Sequence, residues 1–178
     1  MRSRQFSLIK NSAKEYGGDL LKKRKGRLTG RPLDTKNTIH LVLRSTQAVG
    51  DWSFSKRENQ KKLAAILAKF SSKYAVKILS MANVGNHLHF QIKLATIHTY
   101  RKFIRAITGA IATAITGASR MNKLAKKFWD HRPFTRVVIG FKAMLTLRNY
   151  IEMNELEGLG RNRMEAFDIL EAHKKRFF

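Results

Sequence analysis

At 178 residues the chain has the size of one compact domain, and its 43% hydrophobic residues can supply a sizeable core. Lys and Arg number 36 against 12 Asp and Glu, a formal net charge of +24, which favours a polyanionic partner and argues against an enzyme of small neutral substrates. Cysteine is absent, which excludes disulfides, thiolate zinc sites and cysteine nucleophiles together.

The first 36 residues carry a net +8 and centre on Lys22-Lys23-Arg24-Lys25-Gly26-Arg27. They show no sustained period and read as a basic arm. Lys22, Lys23, Arg24, Lys25 and Arg27 are candidate phosphate contacts, because glycine spacing lets a chain follow a nucleic acid surface. No apolar run follows Met1, so no signal peptide is expected. The longest weakly polar stretch, Ala106 to Ala118, is too short to cross a bilayer. A soluble cytoplasmic, nucleoid-associated protein with no membrane partner is therefore expected.

From Thr38 the pattern is regular. Ile39, Leu41 and Leu43 alternate with His40, Val42 and Arg44, which predicts a first strand. Ser55-Lys56-Arg57-Glu58 has the form of a capping box, and Leu63, Ile66, Leu67, Phe70 and Tyr74 then share one helical face. A second strand over Val76 to Ala82 and a third over His87 to Leu94 are joined by Asn83-Val84-Gly85-Asn86, the signature of an antiparallel hairpin. A helix from about Thr99 to Ala118 carries Phe103, Ile104, Ile107, Ile111 and Ile115 in a stripe. Its Ile-Thr-Gly-Ala occurs twice, at 107 and 115, and the small residues are expected to permit close packing on a sheet. Lys123, Lys126 and Lys127 occupy a loop and are candidate nucleic-acid contacts. A fourth strand over Phe134 to Ile139, a helix from Phe141 to Glu157 stopped by Gly158 and Gly160, and a last helix over Arg163 to Phe178 complete the chain. The order predicts an α+β, ferredoxin-like split βαβ fold: an antiparallel sheet with helices on one face and an open catalytic or DNA-binding face. Its domain would occupy residues 37–160, between the arm of 1–36 and the C-terminal helix of 161–178.

His87 and His89 carry the chemical information. Two residues apart on a strand, roughly 6.6–6.8 Å, they project from the same face, and Leu88, Phe90, Ile92 and Leu94 project from the other. Two neutral imidazoles so placed can hold a divalent cation, although spacing alone fits two surface histidines equally well. In the late helix Tyr150 and Asn154 are one turn apart on one face. A tyrosine hydroxyl is a nucleophile, and an asparagine carbonyl is a hard oxygen ligand. Alone, Tyr150 fits a core aromatic with its hydroxyl at the surface. Glu152, Glu155 and Glu157 follow nearby, in a C-terminal stretch of 30 residues that holds half of the chain's acids.

Together, His87-Leu88-His89 and Tyr150-Ile151-Glu152-Met153-Asn154 resemble the HUH endonuclease superfamily, specifically its single-tyrosine transposases of the REP-associated branch. His40-Leu41-Val42-Leu43-Arg44-Ser45, Asn83-Val84-Gly85-Asn86, Phe128-Trp129-Asp130 and Asn154-Glu155-Leu156-Glu157 add to the resemblance, which spans residues 31–160. Two details depart from it. The usual Met-Pro-Asn-His lead-in is here Asn83-Val84-Gly85-Asn86-His87, and the common Asn-Pro is here Asn154-Glu155.

The resemblance implies an enzyme that cuts and rejoins single-stranded DNA at hairpin-containing sites through a 5′-phosphotyrosine on Tyr150. It implies Mg²⁺ or Mn²⁺ held by His87, His89 and Asn154, and a monomer or homodimer. His40 and Arg44, on the outward face of the first strand, are placed to lie near such a site. The rival reading is a non-catalytic basic nucleic-acid-binding protein, a domesticated relic or a nucleoid or ribosomal component, which would have no reason to combine the histidine pair with Tyr150 and Asn154.

Overall fold

The computed structural model describes residues 31–177. Lys22, Lys23, Arg24, Lys25 and Arg27 of the basic arm lie outside the described residues. The elements are β1 (Thr38–Arg44), α1 (Arg57–Lys73), β2 (Val76–Asn83), β3 (His87–Leu94), α2 (Ile97–Thr116), β4 (Phe134–Val138), α3 (Phe141–Gly158) and α4 (Arg163–Phe177). The strands form one antiparallel sheet in the order β2-β3-β1-β4. This is the ferredoxin-like arrangement that the element order predicts.

Strand alternation sorts the residues. Ile39, Leu41 and Leu43 of β1 and Leu88, Phe90, Ile92 and Leu94 of β3 are buried on one face. They join Leu63 and Leu67 of α1 and Phe103, Ile107, Ile111 and Ile115 of α2 in a single core. Each such side chain contributes about 1.5–3 kcal/mol on leaving water. Phe128 and Trp129, just before β4, extend the core, their rings 6.0 and 5.8 Å from Phe54. The Phe128-Trp129-Asp130 segment is also fastened to the end of β1. Ser45 Oγ donates to Phe128 O, and Asp130 Oδ1 accepts from Thr46 N at 2.8 Å and Thr46 Oγ1 at 2.9 Å.

Three local expectations are corrected. The α1 helix begins at Arg57, and no side chain caps its N-cap residue, Lys56. Ser53 Oγ accepts from Ser55 N, while Asn59 donates to Asp51 O and Ser53 O at 2.8 Å each, so a network from the preceding turn replaces the capping box. The α2 helix starts two residues earlier than predicted because Thr96 is its N-cap, its hydroxyl accepting from Thr99 N at 3.2 Å. The two Ile-Thr-Gly-Ala glycines do not serve close packing. Gly117 ends α2 in the left-handed conformation at φ 67°, and a Cβ added at Gly109 would meet nothing within 4 Å. An exposed mid-helix glycine with open space around it costs helix stability. Gly109→Ala is accordingly expected to raise stability by about 0.5–1 kcal/mol, read as a higher urea midpoint at unchanged slope.

The second face of the sheet is open only in part. The two crossover helices α1 and α2 cover one face, as expected, but α3 lies on the other, where Leu147 and Ile151 pack with Ala82 and Val138. A β-bulge makes this possible. Between Ile78 and Ser80 the register of β2 against β3 shifts, leaving Leu79 exposed. One extra residue inverts the parity of the strand, so Val76 and Ile78 face the core while Ser80 and Ala82 face α3. Among the described residues no helix is long and apolar enough to cross a membrane.

Candidate active site

The face that carries α3 also carries the histidines. In the ladder Val42 stands opposite His89, Arg44 opposite His87, and His40 between Gln91 on β3 and Arg136 on β4. His89 is only 5% exposed and Gln91 2%, which corrects the expectation that this row of β3 lies uncovered. Gln91 ties the face to α3, its amide donating to Met144 O at 3.4 Å.

Four rings converge there. The His87 and His89 centroids are 4.8 Å apart, and His40 lies nearly coplanar with His89, centroids 5.4 Å apart and 16° between planes. Tyr150 turns its ring nearly perpendicular to both, 5.6 Å from His89 and 6.0 Å from His40. The structure thus brings together His87, His89 and Tyr150 from β3 and α3, and it adds His40 from β1. Tyr150 stays 46% exposed. Asn154 stands one turn further along α3. Its amide nitrogen donates to the Tyr150 backbone carbonyl at 2.6 Å, so this bond does not use Oδ1.

The electrostatics favour neutral imidazoles. Burial pushes His89 down to about 3, helped by His40 and His87, and pushes His40 down to about 4, helped by Arg136. Burial and then Arg44 also lower His87. Neutral rings are the form that binds a metal ion. The same shifts set an acid limit on the fold. The unfolded chain takes up protons on these rings below about pH 6.5, whereas the folded chain does so only below about 4, so stability is full above 6.5 and falls as pH drops through that window. In EDTA a loss of a few kcal/mol is expected between pH 6.5 and 4, read from urea midpoints. His40→Phe should flatten that slope, and equal slopes in the two proteins would contradict it.

The donor set fits a divalent cation. His89 Nε2 is buried and has no hydrogen-bond partner. Among the described residues no three of His, Cys, Asp and Glu gather as a metal cage. The Asn154 amide oxygen is the candidate third ligand on the tyrosine's own helix. Two of the glutamates are paired elsewhere: Glu152 with Arg148 at 2.8 Å, and Glu157 4.0 Å from Arg163.

Lys123, Lys126 and Lys127 belong to a different surface. With Arg105 of α2 and Arg120 they line a groove of about 980 Å³ between α2 and the loop before β4, on the α1–α2 side of the sheet. Sequence reasoning did not include the two arginines; Arg120 stands three residues before Lys123, and Arg105 joins the lysines only in the folded chain. Arg44 and Arg136 flank the histidines in the ladder. Of these, Arg44 is held by Asp130 at 3.5 Å.

Comparison with known proteins bears on the fold and the family. One solved structure, a REP-associated tyrosine transposase bound to a REP hairpin, superposes with a TM-score of 0.57 at 15% identity, covering 72% of each chain. A transposase candidate from Deinococcus radiodurans R1 aligns at 17% identity over 75% of this chain and 98% of its own, with a TM-score of 0.45. At such identities the first likeness supports the fold. No curated protein sequence matches. Residues 35–154, well over half of the chain and including both histidines, Tyr150 and Asn154, match the family described as IS200-like transposases. The chain belongs to the IS200-like transposase family.

Proposed function

We propose that this transposase cuts and rejoins single-stranded DNA at hairpin-containing sites, with Tyr150 as nucleophile and a divalent cation on His87, His89 and Asn154. The observation that carries the reading is the half-exposed Tyr150 ring packed edge-on against His89, whose Nε2 is buried and unpartnered. A structural tyrosine has no use for two neutral imidazoles beside it, and a cation site has no use for a nucleophile one turn from a ligand. Cleavage needs both.

In the reaction Tyr150 Oη bonds to the scissile phosphorus and the bond from phosphorus to the 3′-oxygen breaks. The hydroxyl proton leaves Oη, the departing oxygen gains one as a free 3′-OH, and the 5′ end of the DNA stays on Tyr150 as a phosphotyrosine. Rejoining is the same exchange with another 3′-OH, so phosphodiester energy is conserved and no nucleotide cofactor is consumed. Mg²⁺ or Mn²⁺, when bound, supplies Lewis acidity at the phosphate oxygens. The chain's own residues set the geometry. The strand ladder fixes the imidazoles, and the Leu147 and Ile151 contacts on Ala82 hold the tyrosine helix over them. Imidazole and amide ligands suit Mn²⁺ at least as well as Mg²⁺.

The basic groove lined by Lys123, Lys126 and Lys127, together with the basic arm of residues 1–36, would grip the phosphate backbone of the hairpin and set affinity without reading sequence. The likeness to a hairpin-bound REP-associated transposase supports a hairpin ligand of this kind. In this reading residues 37–160 form the catalytic domain and the C-terminal helix is an addition to it. Labelled single-stranded DNA carrying hairpins, incubated with Mn²⁺ and resolved on denaturing gels, tests the proposal. A covalent protein–DNA adduct that EDTA abolishes is expected. Tight, salt-sensitive binding with no adduct across a randomised hairpin library would establish the non-catalytic binder instead.

A further inference from the structure

Cleavage as set out above gives His40 no task, yet His40 is the ring in closest polar contact with a candidate ligand. Its Nε2 lies 3.1 Å from His89 Nδ1, within one hydrogen bond. Two neutral imidazoles can share that bond in two ways. If His40 donates, His89 must carry its proton on Nε2, where a buried N–H has no acceptor to replace its lost water. If His89 donates, Nε2 keeps a bare lone pair, and a cation beside that lone pair completes the ring's bonding. Only the second arrangement leaves no group of His89 unpaired once a metal is bound.

The neighbouring ligand is arranged in the same sense. His87 Nδ1 lies 2.6 Å from Asn86 Oδ1, an oxygen that can only accept, so His87 donates from Nδ1 and its lone pair is on Nε2. Both members of the pair thus have Nδ1 engaged by a neighbour. For His89 that neighbour comes from another strand, and it is itself held: His40 is nearly coplanar with His89, with Phe134 and Tyr150 each edge-on to it at 6.0 Å.

We propose that His40 is a positioning residue that accepts from His89 Nδ1–H and so holds His89 in the tautomer whose Nε2 is free to bind the divalent cation. This rests on the metal-centre reading above. Partners of this kind usually contribute 10–100-fold to metal affinity, by fixing the ring's orientation and raising the basicity of the coordinating nitrogen.

Two measurements on the full chain test it. Long-range imidazole ¹⁵N–¹H spectra of the metal-free protein are expected to show His89 protonated on Nδ1. Protonation on Nε2 would overturn the proposal without recourse to any variant. Calorimetric titration with Mn²⁺ alone is then expected to give a 10–100-fold weaker site in His40→Phe, with most of the loss restored in His40→Gln, whose carbonyl can accept the same bond. Wild-type affinity in His40→Phe, or no recovery in His40→Gln, would overturn the positioning role while the metal site itself stands. A wild-type chain that binds no Mn²⁺ would bring down the metal-centre reading, and the positioning role with it. Should His40→Phe not fold, the wild-type tautomer and the His40→Gln titration decide.

Discussion

Replacing Tyr150 with Phe is expected to lower strand cleavage by at least about a thousandfold and to abolish the covalent adduct, with hairpin binding and stability close to those of the wild type. Only the hydroxyl is removed. The ring keeps its edge-on contacts with His89 and His40, and because the side chain is nearly half exposed, no buried polar partner is orphaned. The variant therefore separates chemistry from architecture. Retained cleavage would require another nucleophile, and the alternatives are few. The sequence has four tyrosines. Tyr100 is buried in the main core and Tyr74 packs against it, on the far side of the sheet from the histidines. Tyr16 precedes the described residues. A cleaving Tyr150→Phe protein would thus place the nucleophile on another residue, and gels resolving the adduct after proteolysis would show where.

What the sequence made legible follows from how local each signal is. Alternation in Ile39-Leu41-Leu43 and in Leu88-Phe90-Ile92-Leu94 is a period-2 pattern readable within one strand, and it correctly assigned the core side of both. The same parity argument put His87 and His89 on one face, and the i, i+4 spacing put Tyr150 and Asn154 on one side of a helix. The side of the sheet on which α3 packs was not legible. It depends on Leu79 being skipped in the β2–β3 register, and Val76-Lys77-Ile78-Leu79-Ser80-Met81-Ala82-Asn83 reads as a strand with or without a bulge. His40 has the right parity to face the site, but its bond to His89 joins residues 49 positions apart. Only the strand order decides that contact. The glycines misled for a related reason: Gly109 carries no contact that requires it, whereas Gly158, read as a helix stop, is the glycine that close packing needs.

Gly158→Ala is accordingly expected to disturb the active site from its edge. Gly158 is the last residue of α3, and a Cβ there would stand 2.3 Å from Asn83 O and 3.3 Å from Val84 Cα. Both obstacles are backbone in the turn between β2 and β3, which is pinned by Asn83 Nδ2 donating to Phe54 O at 2.7 Å and Val84 N donating to His87 O at 3.0 Å. The turn cannot easily give, so the helix must. Restoring ordinary contact from 2.3 Å requires a displacement of about 1 Å, and α3 carries Tyr150 and Asn154 while the turn leads directly into His87. A shift of that size between nucleophile and ligands can cost about a hundredfold in rate. Overpacking should take about 1–3 kcal/mol from stability as well. The sequence-local preference opposes this result, since alanine is the better helix former by about 1 kcal/mol. The sign of the measured change thus decides between them. A lower urea midpoint with weakened cleavage means that the Gly158 approach holds α3 in register with the histidines. A stabilised, fully active Gly158→Ala protein would mean that α3 is seated by Leu147 and Ile151 alone, and that the close approach at Gly158 is incidental to catalysis.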